Sequence, residues 1–331
     1  MKYVFFLIVL SLTSYHGYTQ EKNIAPKPLF DDPVYHGAAD PVIIYNSHVK
    51  KWWMFYTNRR ATLNDSSGVA WVHGTKIGIA ESKDGRSWKY KDTANINYRP
   101  DSGYTFWAPD IIQEKGLYHM FLTYVPGIFK DWNHPRNIIH LTSSDLLNWK
   151  YESTLKLVND KVIDACIFKL PDGGWRLWYN NEKDGKSIWY ADSKDLYNWQ
   201  DKGKAIAARG EGPNVFAWQN KYFMAVDIWK GIELYSLDDL LAWKKQTGRI
   251  LENPGKGLDD QAMGGHCDIV VNNNRAFIFY FTHPGRRKDK PAAKNSFEDK
   301  RSVIQLAELK YVNGEIICDR DEEIKIKLKP A

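Results

Sequence analysis

A twelve-residue pattern returns four times in this chain: Ile77–Trp88, Ile138–Trp149, Ile188–Trp199 and Ile232–Trp243. Each copy is an apolar alternation, then a turn with an Asp, then a Trp. The Asp–Trp spacing is the same in Asp84/Trp88, Asp145/Trp149, Asp195/Trp199 and Asp239/Trp243. Alternation with period two predicts a strand, and an Asp side chain can begin a tight turn. A second, aromatic-rich strand is read before each copy, at Trp52–Thr57, Tyr118–Tyr124, Trp175–Tyr179 and Tyr222–Val226. Before each of those stands a third strand headed by a polar residue. One unit is thus four strands, repeated at roughly 45–60 residues, the period of propeller blades. A fifth unit lacks the turn signal but offers Cys267–Val271, Ala276–Thr282, Val303–Tyr311 and Glu315–Cys318. No stretch shows a sustained helical period. The expectation is an all-β fold: a five-bladed β-propeller with four antiparallel strands per blade, closed without exchanging a strand between the ends.

Residues 1–20 read as a secretory signal peptide: Lys2, an apolar core over Tyr3–Leu12, then a polar end. That core is too short to span a bilayer. The expected protein is exported, periplasmic or extracellular, and has no membrane span. Residues 21–35 are expected to form an arm on the surface, and 36–331 a single propeller domain. The formal charge of +6 is mixed along the chain, with no nucleic-acid motif, so no nucleic-acid partner is expected. A monomer is expected. Cys166, Cys267 and Cys318 sit in apolar strand-like runs and read as buried free thiols.

The strand heads carry the chemistry. They are Asp40 in ADPVIIY, Asp110 in APDIIQ, Asp164 in IDACIFKL, Glu211 in EGPNVFAW and His266 in GHCDIVV. In a propeller the innermost strand of each blade runs beside the axis, so five equivalent heads meet at one mouth. Gathering carboxylates is costly unless they are paired, protonated or used. Two carboxylates with separated pKa values are what glycosidic cleavage needs, one to protonate the leaving oxygen and one to activate water. A third can raise the acid's pKa by repulsion. Taken singly, an Asp before a Pro, as at Asp40-Pro41, can equally be a turn cap.

Ala39-Asp40-Pro41, Trp107-Ala108-Pro109-Asp110, Ile163-Asp164, Glu211-Gly212-Pro213 and Gly265-His266 together resemble glycoside hydrolase family 43 and its five-bladed relatives, in the family's order and across residues 36–320. The resemblance implies that Asp40 is the general base, that Glu211 is the general acid, and that Asp164 orients the acid and tunes its pKa. It implies inversion of the anomeric carbon in one displacement. The chemistry needs no cofactor; a structural Ca2+ or Na+ beside His266, near the axis, is also implied. The chain departs from the family in having Ala165-Cys166 after Asp164, and it lacks the C-terminal β-sandwich of many family xylosidases. A related family acting on neoagaro-oligosaccharides is thought to use a histidine acid, which leaves His266 a rival for that role. A non-catalytic carbohydrate-binding propeller is a further alternative. The β-fructosidases rank lower, because their Asn-Asp-Pro-Asn and Arg-Asp-Pro stretches are absent.

Other sugar contacts are expected from Trp107, Phe106, Asp110, His266 and Arg301. Long loops carrying Trp71 and His73, and Trp132, His134 and Arg136, are expected to wall the mouth and favour exo action. The run Pro284–Lys300 reads as a solvated loop, with the option that Arg286, Arg287 and Lys288 contact an acidic polysaccharide. The expected substrate is a plant or algal poly- or oligosaccharide, cleaved in the manner of a β-xylosidase or α-L-arabinofuranosidase.

Overall fold

The computed structural model describes residues 24–64, 67–99, 103–237, 240 and 242–330. The leader over residues 1–20 and Asp239 of the fourth turn lie outside these residues. The first blade is β1 (Ala38–Asn46), β2 (Lys51–Asn58), β3 (Lys76–Ser82) and β4 (Lys89–Thr93). A two-residue strand, β5 (Asn95–Ile96), follows. The second blade is β6 (Thr105–Glu114), β7 (Leu117–Val125), β8 (Asn137–Ser143) and β9 (Asn148–Thr154). The third is β10 (Val162–Lys169), β11 (Trp175–Asn181), β12 (Ser187–Ser193) and β13 (Trp199–Ile206). The fourth is β14 (Glu211–Trp218), β15 (Lys221–Asp227), β16 (Ile232–Leu237) and β17 (Lys244–Ile250). The fifth is β18 (Gly264–Asn272), β19 (Arg275–Thr282), β20 (Val303–Val312) and β21 (Glu315–Cys318). Every blade is a meander of neighbouring antiparallel strands. The second departs from the expected four, because β5 adds to its outer edge, parallel to β9.

The repeated turn has a physical cause. Ser82, Ser143 and Ser193 each accept a hydrogen bond at Oγ from the backbone N–H three residues on, at 2.9, 2.9 and 3.0 Å. That third residue is left-handed, with φ 81° at Gly85, 65° at Leu146 and 71° at Leu196. The Trp indole N–H then donates to its carbonyl at 2.8, 3.0 and 2.9 Å, locking the chain into the next strand.

The innermost strands β1, β6, β10, β14 and β18 each touch the next, and β18 touches β1, so the ring is closed. No strand is exchanged among the described residues. Instead the stretches 24–30 and 324–328 cross the seam between the first and last blades. Ile24 bridges to Lys325 and Phe30 to Ile304. Leu29, Phe30, Ile324, Ile326 and Leu328 are buried with Trp52 and Trp88 of the first blade and Phe277 and Phe279 of the fifth. In the described part of the arm, 24–35, Leu29 and Phe30 are buried in this seam, whereas Val34 and Tyr35 stay exposed on the surface. Beside them lies a buried ion cluster. Asp260 is fully buried, accepts from Arg320 Nε at 3.1 Å and from the Tyr280 hydroxyl, and lies 3.5 Å from Lys27 Nζ.

Cross-blade ties line the axis. Asp110 Oδ2 accepts from Ile167 N at 2.5 Å, Cys166 Sγ from Val215 N at 3.2 Å, Asn214 Oδ1 from Ile269 N at 3.1 Å and Asp268 Oδ2 from Ile43 N at 2.8 Å. Each tie joins one innermost strand to the next blade. The equivalent residue of the first blade, Val42, has no acceptor to offer, and Asp110 Oδ1 instead takes its own neighbour, Ile111 N. Cys166 thus serves as an acceptor in the ring; all three cysteines are free thiols, Cys166 and Cys267 buried and Cys318 half-buried. Among the described residues no helix is long and apolar enough to cross a membrane.

Candidate active site

Each innermost strand is interrupted by a bulge where it opens onto one end of the axis. The first residue of the bulge is left-handed in four blades: Asp40 (φ 52°), Ala108 (41°), Asp164 (59°) and Gly212 (55°). In the fifth blade the unpaired residue is His266. Outside glycine that conformation costs about 1–3 kcal/mol per residue and is concentrated at functional sites. The equivalent positions are therefore Asp40, Ala108, Asp164, Gly212 and His266. Glu211 stands one residue before the bulge position and Asp110 two after it. That offset corrects the expected set: Glu211 still reaches the mouth, whereas Asp110 is held in the ring of ties below it.

Asp40, Asp164, Glu211, Trp107 and His266 line one cavity of about 990 Å³. Asp40 is paired through both oxygens with Arg59 Nη2, at 3.0 and 3.2 Å. His266 Nδ1 lies 3.7 Å from Asp40 and 4.0 Å from Asp164. Asp164 accepts the Gly212 N–H at 3.0 Å, which fixes it beside Glu211. Glu211 accepts from the Trp229 indole at 2.9 Å. A fourth carboxylate, Asp227, pairs with Glu211 across the hairpin. It takes the Trp229 and His266 backbone N–H groups at 2.7 Å each.

Burial pushes Glu211 up to about 8, and the charges of Asp164 and Asp227 add to that rise. Burial, then the charge of Asp40, lifts Asp164 to about 7. Burial also raises Asp227. Glu211 therefore keeps its proton at neutral pH, while Asp40 faces a guanidinium.

Two expected sugar contacts lie elsewhere. Phe106 is 2% exposed and packs in the core between the first two blades, with Tyr104 and Tyr124 against it. Arg301 is tied to Asp31 at 3.0 Å and Asp259 at 2.6 Å, where it anchors the arm. Strand register, which the sequence does not print, turns Phe106 inward while its neighbour Trp107 faces the mouth. The long loops do wall the cavity: Trp71, Trp132 and Arg136 line it, and His73 supports Trp107 from behind with ring centres 5.0 Å apart. Arg286 lines it too, but is paired with Asp299 at 3.1 Å; Arg287 is paired with Asp289 at 2.9 Å. Sequence reasoning missed Arg59, Asp227 and Trp229. The available signal was the hairpin: the end of each second strand returns to the mouth beside the head of the first.

No three His, Cys, Asp or Glu side chains among the described residues converge as a metal-binding set. The groups facing His266, the Asp40 and Asp164 carboxylates, do not supply the six to eight oxygens that calcium takes.

Gly212 explains the Glu-Gly-Pro motif. A Cβ there would meet the His266 ring at 2.6 Å, and φ is 55°. Gly212→Ala is expected to displace His266 and the Asp164–Gly212 bond together. A fall in kcat of at least tenfold, with cooperative unfolding retained, is the expected result; unchanged kinetics would show that His266 position is immaterial.

A five-bladed propeller with carboxyl groups gathered at its axial mouth has the equipment that glycosidic cleavage needs. The family model described as "Probable glycosyl hydrolase domain", a group related to glycoside hydrolase family 43, matches residues 28–252, and the chain belongs to that family. It is a glycosidase acting on carbohydrate. Its fold is similar to a thermostable family-43 glycoside hydrolase, with TM-score 0.66 and 18% identity over 91% of this chain and 100% of that one. It is also similar to a β-xylosidase/α-arabinofuranosidase from a compost microbial metagenome, with TM-score 0.61 and 14% identity over 86% of this chain and 94% of that one. A fructan β-fructosidase of Streptococcus mutans is 25% identical over 166 residues, 43% of this chain but 11% of that much longer protein.

Proposed function

We propose that the protein is an exported, inverting exo-glycosidase of plant or algal glycans, of the β-xylosidase or α-L-arabinofuranosidase type. Glu211 protonates the leaving oxygen, and Asp40 takes the proton of the attacking water. Asp164 is a positioning residue: it is fixed by the Gly212 N–H and its charge acts on Glu211. The observation that carries the reading is the contrast between Glu211, buried beside two carboxylates, and Asp40, held by both its oxygens on Arg59. One carboxyl is kept as an acid and the other as a base, the division of labour that hydrolysis of a glycoside requires. His266 Nδ1 lies 3.7 Å from Asp40, the base in this reading, which favours Glu211 over it as the acid. The loop residues Trp71 and Trp132 narrow the mouth, in support of attack at a chain end.

Digestion of a panel of pentose- and galactose-terminated oligosaccharides, followed by proton NMR at early times, tests the proposal. The expected first product is a single sugar of anomeric configuration opposite to the bond cleaved. Retention, or internal cleavage, would refute it. The pH profile gives a second check. A general acid works while protonated, so kcat/KM is expected to fall as pH rises through about 8. Asp164→Asn removes a like charge beside Glu211, lowers that pKa and moves the alkaline limb to lower pH. A limb that stays in place would remove Asp164 from this role.

A further inference from the structure

The wall of the cavity on the Glu211 side carries more positive charge than it can neutralise. Arg136, Lys161, Lys186 and Arg209 all line it. Arg136 and Lys186 share one carboxylate, Glu182, at 2.5 and 2.9 Å. Lys161 and Arg209 form no ion pair among the described residues, although the charge of Lys161 acts on the neighbouring Asp160. On the opposite side Arg59 and Arg286 are each closed by a carboxylate of their own, Asp40 and Asp299. Besides Glu182, the carboxyl beside this wall is Glu211, which burial drives toward its neutral form.

Geometry fixes where this charge sits relative to the chemistry. Trp229 donates its indole N–H to Glu211 at 2.9 Å. The Arg209 guanidinium lies 4.9 Å, and Lys186 Nζ 5.1 Å, from the centre of the same ring. Lys161 lines the same cavity, and its backbone carbonyl accepts the Glu182 N–H at 3.0 Å. Arg209 and Lys186 are thus one indole away from the group that protonates the leaving oxygen.

We propose that Lys186 and Arg209, set against Trp229, together with Lys161 on the same cavity, form an anion subsite for the leaving-group sugar, which carries a carboxylate or a sulfate ester. This rests on Glu211 being the acid. The subsite also couples to catalysis. Lys186 now pulls the Glu211 pKa down. An anion bound to Lys186 offsets that pull and keeps the acid protonated when substrate is present. A neutral leaving sugar leaves the cations in water and gains none of this.

The test compares wild type with a Lys161→Gln/Arg209→Gln double variant on matched oligosaccharides whose leaving sugar is a uronate, its carboxyl-reduced form, a sulfate ester or its desulfated form. A charge-assisted contact changes affinity by about ten- to a hundredfold. The expected wild-type kcat/KM ratio, anionic over neutral, is at least tenfold for one of the two anions, falls with added salt, and collapses toward one in the double variant. The anion showing the preference identifies the source. Calorimetric titration of Glu211→Gln protein with the same compounds reads the ratio without turnover, so the site is tested even where hydrolysis is slow. A ratio near one in wild type by both measures, or a ratio unchanged in the double variant, overturns the subsite. Hydrolysis of the neutral compounds with no anion preference sinks the subsite and leaves the glycosidase reading standing. Full turnover by Glu211→Gln removes the acid assignment instead.

Discussion

Glu211→Gln is expected to lower kcat by about 10²–10⁴ on glycosides with unactivated leaving groups, the range contributed by general acid catalysis. Glutamine keeps the shape and can still accept the Trp229 indole N–H, so the loss reports the proton rather than the packing. An aryl leaving group of low pKa needs little protonation, and on such substrates the fall is expected to be much smaller. An equal fall on both kinds of substrate would point to a structural role. The same variant separates activity from stability. The folded-state pKa of Glu211 is raised, so ionising it opposes folding. That penalty grows as pH climbs from the ordinary carboxylate range to about 8, and it is absent from the variant. The glutamine protein is thus expected to melt above wild type in mildly alkaline buffer while turning over slowly.

Asp260→Ala is expected to cost about 3–5 kcal/mol, the penalty for leaving a buried ionic partner uncompensated. Arg320 is 6% exposed, and although its Nη1 also donates to the Asn253 and Ala262 carbonyls, its counter-charge is Asp260. The melting temperature should fall by roughly 10 °C. Adding Arg320→Met should recover part of the loss, because an apolar pair removes the stranded charge. A single variant melting within about 1 kcal/mol of wild type would show that the cluster does not hold the seam.

Much of the fold was legible because its signals are local. The Ser, Asp and Trp of each turn lie within a few residues of one another, and alternation marks each strand directly. The acids at the mouth were legible for Asp40, Asp164 and Glu211, whose places at strand beginnings follow from the repeat. The sequence misled where placement depends on register. A bulge displaces Asp110 into the tie ring, and the pleat turns Phe106 inward while Trp107 faces out. Arg59, Asp227 and Trp229 belong to the ends of second strands, and only the closed hairpin returns them to the mouth. Arg301 resembles a surface cation in the sequence because Asp31 and Asp259, its partners, are far away along the chain.

The crossing of the seam by residues 24–30 and 324–328 bears on how the ring came to be joined. Ile24 and Lys325 are neighbours, so two stretches far apart along the chain meet at the seam. A linker from beyond Leu328 back to Ile24 would make the polypeptide a continuous loop while keeping Ile326 and Leu328 in the seam, and a cut in a peripheral hairpin would then supply new ends. The catalytic cup depends on five blades standing side by side, not on which of them is synthesised first. Reordered versions of this gene, with blades rotated in sequence, would build the same mouth.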